Sequence, residues 1–213
     1  MLALAVAITL GATLYAVALA PRLPDLIPTH WGVNGEVDGW APKPQAIYMM
    51  PAMMAGLLLL MSLLPSVSPR KYRVEGFRQV WNVVVLLVLA MLGFIHVMML
   101  QTALHPGVTM DRAVIAGLCL FLAVVGLYLP QVKRNFWMGV RTPWTLASEA
   151  VWTATHRLAA WTMGLGGLLG ALLVLVGVPP MLAFGLIMVG ALYPVFYSLW
   201  LYKKLEREGK AGE

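Results

Sequence analysis

The sequence is poor in charged residues and contains a single cysteine. Only 11% of its 213 residues are charged, whereas 61% are hydrophobic. This balance excludes a soluble domain of this size and indicates a polytopic membrane protein. The one cysteine, Cys119, lies inside an apolar run, so the chain has no disulfide framework and no thiolate metal site.

Acidic residues are scarcer than basic ones, and the net charge is +6. A basic chain can bind nucleic acid, but here the basic residues sit in short segments between apolar runs, which argues against direct nucleic-acid binding. The sequence also lacks a glycine-rich phosphate loop, a His-Glu-x-x-His motif and a nucleophile elbow. These absences leave no familiar catalytic motif.

Six apolar runs are long enough to cross ~30 Å of hydrocarbon, which takes ~17–25 helical residues. They lie near residues 2–20, 46–64, 79–100, 113–129, 158–177 and 181–202. We therefore predict an all-α membrane protein, a bundle of six transmembrane helices. Gly166 and Gly170 in the fifth run form a small-xxx-small pair, which favours a central position for that helix over a dimer contact.

The basic residues predict the orientation of the chain. Twelve of the fifteen fall in three segments: Arg70, Lys71, Arg73, Arg78; Lys133, Arg134, Arg141, Arg157; and Lys203, Lys204, Arg207, Lys210. The alternate segments hold only Arg22, Lys43 and Arg112. The positive-inside rule therefore places both termini in the cytoplasm and residues 21–45 outside. The basic residues of the segment at 65–78 are expected to contact anionic lipid.

The outer segment at 21–45 is predicted to be structured. Its five prolines stiffen it, and Asn34-Gly35 and Asp38-Gly39 are turn dipeptides that favour a small hairpin. Four residues of this segment are candidates for contact with a ligand: His30, Trp31, Glu36 and Asp38. His30, Glu36 and Asp38 are metal-ligand types, but their spacing matches no specific metal pattern, so we assign no metal and no cofactor.

His96 and Gln101 are polar residues at the predicted outer end of the third apolar run. An ionisable residue inside a span is a functional candidate by default. His96, however, lies only about one turn from the predicted boundary, so we expect a neutral, hydrogen-bonded histidine. Gln101 lies five residues further along.

Residues 134–157 combine charges with tryptophans and are called here the signature segment. Thr142 and Pro143 are typical of a helix cap and first helical residue. If that helix continues, Glu149, Trp152 and His156 share one face, with Arg157 at its border. We predict that Glu149, His156 and either Arg141 or Arg157 form one hydrogen-bonded cluster. The alternative is an interfacial anchor, in which tryptophans set the depth in the membrane, arginines contact lipid phosphate and Glu149 pairs with an arginine.

The run GVRTPWTLASEAVWTATHRLAAW, which begins at Gly139, resembles the signature of the SdpI family of bacterial membrane proteins. The segment at 23–43 is similar to the domain of unknown function that often precedes it. The resemblance implies two units, residues 1–64 as an N-terminal helix pair with its outer loop and residues 79–213 as a four-helix domain. It also implies a location in the bacterial cytoplasmic membrane. The residues expected to carry function are Arg141, Thr142, Trp144, Glu149, Trp152, His156 and Arg157.

The resemblance implies immunity to, or sensing of, a secreted killing peptide, with signalling to a cytoplasmic partner. The peptide and the cytoplasmic partner would contact opposite ends of the bundle. The sequence leaves undecided whether the protein forms a homo-oligomer. One alternative is a membrane-embedded enzyme that acts on a lipid or peptide through Glu149, His156 and the arginines, since arginine pairs with phosphate. Catalysis is disfavoured because Glu149 and His156 are ~10 Å apart along a helix. A small transporter is the second alternative.

Overall fold

A computed structural model describes residues 1–32, 35–105, 107 and 110–210, without the side chain of Lys71. The helices are α1 (Leu2–Leu19), α2 (Lys43–Leu63), α3 (Arg78–Leu104), α4 (Met110–Tyr128), α5 (Pro143–Ala147), α6 (Glu149–Leu175) and α7 (Pro180–Arg207). Strands β1 (Leu26–Trp31) and β2 (Val37–Pro42) connect α1 to α2. Six helices in the described part of the chain are long and apolar enough to cross a membrane, which confirms the predicted bundle.

The fifth spanning helix begins earlier than the sequence predicted. α6 starts at Glu149, nine residues before the predicted residue 158. Ser148 causes this start because its backbone is extended and its side chain accepts a hydrogen bond from Val151 N at 3.4 Å. The helix predicted to run on from Pro143 is therefore wrong, since α5 ends at Ala147 and Ser148 interrupts it.

Glycines hold α4, α6 and α7 close together. A Cβ on Gly170 would lie 2.9 Å from Cys119 Sγ on α4, and a Cβ on Gly190 of α7 would lie 2.7 Å from Thr162 O of α6. Such contacts leave no room for a larger residue. α6 packs on both neighbours, as predicted for a central helix. Gly166 is not at a tight contact, because a Cβ there would lie 3.9 Å from Ile187 Cδ1.

α3 packs mainly with the first two spanning helices. One buried cluster joins Ala5 of α1, Met54 of α2 and Leu89 of α3. A second cluster joins Ala16, Ile47 and Leu100 of the same helices near the hairpin. The division into units at 1–64 and 79–213 stays a prediction.

His96 is fully buried on α3, and neither ring nitrogen has a hydrogen-bond partner among the described residues. The expectation of a hydrogen-bonded histidine is therefore wrong. The nearest residues on the buried face of α3, Gly93, Met99 and Leu100, are apolar, and helical carbonyls are already used by the helix itself. Gln101, one turn further on, does find a partner, because its amide donates to the Tyr15 hydroxyl of α1.

Strands β1 and β2 form an antiparallel hairpin that lies over the ends of α1, α2 and α3. Ile27 pairs with Ala41 in the ladder and is fully buried against these helices. The register shifts between Pro28 and His30, where a proline removes a ladder donor. Asn34 of the predicted turn lies outside the described residues, whereas Gly35 takes the positive φ of 79° that glycine favours in turns.

Candidate functional site

Asn135 organises the loop at the beginning of the signature segment. Its side chain is fully buried, and its amide nitrogen donates to Lys133 O at 2.8 Å and Met138 O at 3.1 Å. Its amide oxygen accepts from Trp137 N at 2.7 Å and Met138 N at 2.8 Å. Asn135 is not among the predicted site residues. A sequence signal for Asn135 does exist. Asparagine has a short amide side chain that often forms hydrogen bonds with the nearby backbone of a loop.

His156 fixes the backbone that follows this loop. The ring is 1% exposed, its Nε2 accepts from Val140 N at 3.1 Å and its Nδ1 lies 2.8 Å from Trp152 O. Only a protonated nitrogen donates to a carbonyl, so this pattern assigns the proton to Nδ1. Gly139 makes the approach possible, because it has a φ of 103° and a Cβ there would collide with His156 Nε2.

Trp152 lies beneath His156 in a stacked pair. The two rings are 4.1 Å apart with an interplanar angle of 24°, and Trp152 is 2% exposed. Its indole N–H donates to Val132 O at 2.7 Å, on the loop twenty residues earlier. Trp152 and His156 thus clamp the loop to the first turns of α6.

The predicted cap at Thr142 is confirmed. Thr142 Oγ1 accepts from Thr145 N at 3.2 Å, and Thr145 Oγ1 accepts from Thr142 N at 2.8 Å, while Pro143 is the first residue of α5. This reciprocal arrangement is a capping box. Thr145 is fully buried and also donates to Val140 O at 2.9 Å. α5 is therefore tied to the segment that His156 holds.

The predicted cluster of Glu149, His156 and Arg141 or Arg157 does not form among the described residues. Glu149 pairs instead with Arg134, with Nε and Oε2 3.2 Å apart. Arg141 donates to Phe136 O, and Arg157 is exposed with no ion pair or hydrogen bond in the described part of the chain. The reason is that Glu149 and His156 are ~10 Å apart along α6, with Trp152 filling the space between them.

Tryptophans of the signature segment connect separate elements. Trp137 Nε1 donates to Ser68 Oγ at 2.6 Å in the segment that precedes α3, and Trp144 Nε1 donates to Ser198 Oγ of α7. Trp161, 68% exposed on α6, is the one that faces outward from the bundle. The anchor interpretation therefore fits Trp161, whereas Trp137, Trp144 and Trp152 hold the fold together.

The predicted residues of the outer segment lie on the hairpin, at the opposite end of the bundle from the signature segment. His30 Nδ1 pairs with Asp38 Oδ1 across the strands, and both side chains are more than half exposed. Trp31 packs on the cluster beneath the hairpin, and the Glu36 carbonyl accepts from Gly32 N at 2.9 Å. Within the described ranges, no three His, Cys, Asp or Glu side chains are placed to share a metal ion.

A cleft of about 630 Å³ opens between the hairpin and α3, α4 and α7. We call it the hairpin-side cleft. Its walls include Trp31, Ile95, Met110, Val114, Met181 and Phe184, and its polar groups are Thr29, His30 and Asp111. Its size and mostly apolar lining are those of ligand pockets, ~300–1,000 Å³. Asp111 is not among the predicted site residues, since its neighbours from the hairpin and α7 are distant in sequence.

Asp111 is the carboxylate of this cleft, and it has no partner among the described residues. The carboxylate is half-buried in the first turn of α4, where the helix dipole favours a negative charge. It makes no ion pair or hydrogen bond with the described residues, whereas the neighbouring Arg112 donates to Val174 O at 3.3 Å. A Cβ on Gly35 would lie 3.2 Å from its carboxyl carbon, so the tip of the hairpin adjoins it.

Two family matches cover the signature segment and the hairpin. Residues 131–198 match the SdpI/YfhL protein family, and residues 7–55 match a domain of unknown function, DUF1648. The first match contains both partners of the Trp152–Val132 and Trp144–Ser198 hydrogen bonds. The second contains most of α1, both strands and the first part of α2.

One curated relative supports both matches. Immunity protein SdpI from Bacillus subtilis (strain 168) is 28% identical over 160 residues, which cover 75% of this chain and 74% of that protein. No solved structure matches the chain. This multi-pass membrane protein is therefore similar to the SdpI/YfhL protein family over residues 131–198, and its residues 7–55 are similar to DUF1648.

Proposed function

We propose that this protein is an immunity protein of the bacterial cytoplasmic membrane that binds a secreted killing peptide in the hairpin-side cleft. The observation that carries the proposal is this cleft of about 630 Å³, built jointly by the DUF1648 hairpin and by α3, α4 and α7. The comparison with known proteins supports the proposal, because the relative that matches is named an immunity protein. The proposal adds a ligand and a site, which neither match specifies.

The chemistry of the cleft fits a cationic peptide with large apolar side chains. Apolar walls gain free energy by removing such side chains from water, ~25 cal/mol per Å² buried. Asp111 supplies a carboxylate at the rim that is unpaired within the part of the chain that the structure describes, whereas the carboxylate of Asp38 is already paired with His30. A lysine or arginine of the peptide would therefore pair with Asp111.

The geometry supports an enzyme less well. Both nitrogens of His156 are engaged by backbone groups, and the ring is 1% exposed, so no substrate reaches it in this conformation. Glu149 is paired with Arg134 and lies outside any cavity described here. General acid–base catalysis needs a group within hydrogen-bond reach of the reacting proton.

Survival of peptide-sensitive Bacillus cells tests the proposal. Cells that produce this protein should tolerate about ten-fold more sporulation-delaying toxin, the killing peptide for which the family is named, than cells without it. Asp111→Asn should remove most of that protection, because a charge-assisted hydrogen bond is worth ~1.5–3 kcal/mol. Val114→Trp, which fills the cleft, should do the same.

Asp25→Asn is the matched control, since Asp25 is exposed near the same hairpin and pairs with Lys43 at 3.4 Å, away from the cleft. Membrane abundance is measured for each variant by immunoblot. Equal survival of parent, Asp111→Asn and Val114→Trp at equal abundance would rule out the cleft as the peptide site. If the parent protein gives no protection, the proposed immunity function itself is wrong.

The proposed orientation places the hairpin outside and both termini in the cytoplasm. It is motivated by the twelve basic residues in three segments against three elsewhere. In a Cys119→Ala background, Glu36→Cys should react with an impermeant maleimide in intact cells, and Arg73→Cys only after permeabilisation. Both positions are exposed. The opposite labelling pattern would invert the topology.

Signalling to a cytoplasmic partner would use the other end of the bundle. Arg157 is exposed there and has no ion-pair partner in the part of the chain that the structure describes. An acidic surface of a partner would complement it. A photo-crosslinker at position 157 that captures the same protein with and without peptide would argue against peptide-dependent signalling.

A further inference from the structure

A second cleft lies at the end of the bundle away from the hairpin, between the start of α1, the end of α2 and the start of α3. We call it the α1–α2–α3 cleft. Its volume is about 290 Å³, at the lower end of the range for ligand pockets. It shares no lining residue with the hairpin-side cleft, so inferences about it do not rest on the immunity proposal.

The cleft contains the cation of Arg78, which pairs with no carboxylate among the described residues. Arg78, in the first turn of α3, lines it and makes no ion pair or hydrogen bond within the described ranges. Asn82, one turn along the same helix, lines it too and is partly buried without a hydrogen-bond partner there. Ser62 is the other hydroxyl or amide side chain of the lining, and its hydroxyl already donates to Leu58 O at 2.7 Å. Within the described residues, Arg78 and Asn82 therefore provide guanidinium and amide donors that have no hydrogen-bond partner.

The surroundings of the cleft are also positive. The segment from residue 64 to residue 82 contains Arg70, Lys71, Arg73 and Arg78 against the single acidic residue Glu75. Lys133 lies across this segment, because a Cβ on Gly76 would lie 3.0 Å from its Cδ atom. Lys133 has no ion-pair partner among the residues that the structure describes. The local field therefore attracts an anion.

The remaining walls are apolar and lie on membrane-spanning helices. Leu58 of α2 and Trp81 and Val85 of α3 face the cleft, and Trp81 and Val85 are less than one tenth exposed. Arg78 falls at the beginning of the candidate span Val74–Leu104, at the level where head groups lie. A soluble anion would leave these walls uncovered, whereas a lipid places its phosphate at the donors and its acyl chains against the apolar side chains.

We propose that the α1–α2–α3 cleft binds an anionic phospholipid, whose phosphate accepts hydrogen bonds from Arg78 and Asn82. The planar guanidinium donates to phosphate in a bidentate manner, which a single cation such as lysine does not reproduce. An anionic head group is preferred over a zwitterionic one because the cleft offers no carboxylate to pair with a choline or ethanolamine cation.

Quenching of Trp81 by brominated lipids tests this site directly. The whole protein is placed in bilayers that mix phosphatidylglycerol and phosphatidylcholine of equal chain length, with the bromine on one lipid at a time. The Trp81 signal is the difference between the parent and Trp81→Phe. Brominated phosphatidylglycerol should quench it with an affinity about ten-fold higher than that of the phosphatidylcholine, as expected from one charge-assisted contact.

Arg78→Gln should lower the ratio of the two lipid affinities to near one, and Asn82→Leu should lower this ratio in part. Arg73→Gln is the matched control, because it removes the same charge from the same exposed segment outside the cleft lining. Equal quenching by both lipids in the parent would overturn the proposal. An equal loss of lipid preference in Arg73→Gln and Arg78→Gln would also overturn it, because general surface charge would then explain the preference. Loss of the preference in excess inorganic phosphate would do the same, because it would indicate that the site binds a soluble anion.

Discussion

Gly139→Ala should destabilise the protein by ~4 kcal/mol or more and sharply reduce its abundance in the membrane. Gly139 has a φ of 103°, and a side chain in this region costs ~1–3 kcal/mol. The added Cβ would also collide with His156 Nε2, so the imidazole would have to move. Its bonds to Val140 N and Trp152 O would then be lost, and a buried polar group left unsatisfied costs ~1–3 kcal/mol.

Thermal unfolding in detergent measures this effect. At ~2–4 °C per kcal/mol for a chain of this size, the midpoint should fall by on the order of 10 °C. Gly177→Ala is the control, since Gly177 has a similar φ of 95° but no atoms within 4 Å of a built Cβ. If the two variants lose the same stability, the contact with His156 contributes nothing and backbone strain alone explains the result.

Trp152→Ala should cost ~3–5 kcal/mol, the usual range for removing a buried aromatic side chain. Trp152 is 2% exposed, stacks on His156 and donates to Val132 O, so the substitution leaves a cavity and an unpaired carbonyl. Trp161→Ala makes the same change on the same helix at a side chain that is 68% exposed. It should change stability by less than ~0.5 kcal/mol.

The measurement is the unfolding midpoint of both variants beside the parent, together with membrane abundance. A large loss in Trp161→Ala and a small one in Trp152→Ala would contradict the clamp described for Trp152. The comparison also separates the two interpretations of the tryptophan-rich segment. An interfacial anchor would be lost with Trp161, whereas a fold-holding contact is lost with Trp152.

Local patterns were predictable because their causes lie within a few residues. Thr142 and Pro143 begin a helix because the cap partner, Thr145, is only three residues away. The six spans follow from hydropathy, since each must bury its backbone polar groups in a helix. The start of α6 was missed because a short helix, α5, ends at Ala147, and the next residue, Ser148, caps α6.

Contacts between distant segments were not predictable in the same way. Fifteen lysines and arginines in the chain could form an ion pair with Glu149. The sequence patterns favoured the wrong ones, Arg141 and Arg157. Arg134 is the partner because the loop held by Asn135 returns to the N-terminus of α6. The Glu149 carboxylate is more than half exposed, and the free energy of a solvent-exposed ion pair, ~0–1 kcal/mol, is too small to select the partner without the surrounding packing.

The sequence by itself determined the class of protein, the number of spanning helices and the family motif, because composition, hydropathy and a run of consecutive residues need no tertiary information. Only the tertiary structure decided that His156 and Trp152 serve the fold rather than a shared cluster with Glu149. It also brought Asp111 of α4 beneath the hairpin and placed Arg78 and Asn82 in a cleft where no other described residue pairs with them. The physical reason is that burial and pairing depend on which helix faces pack together, and the residues on those faces are dozens of positions apart in the sequence.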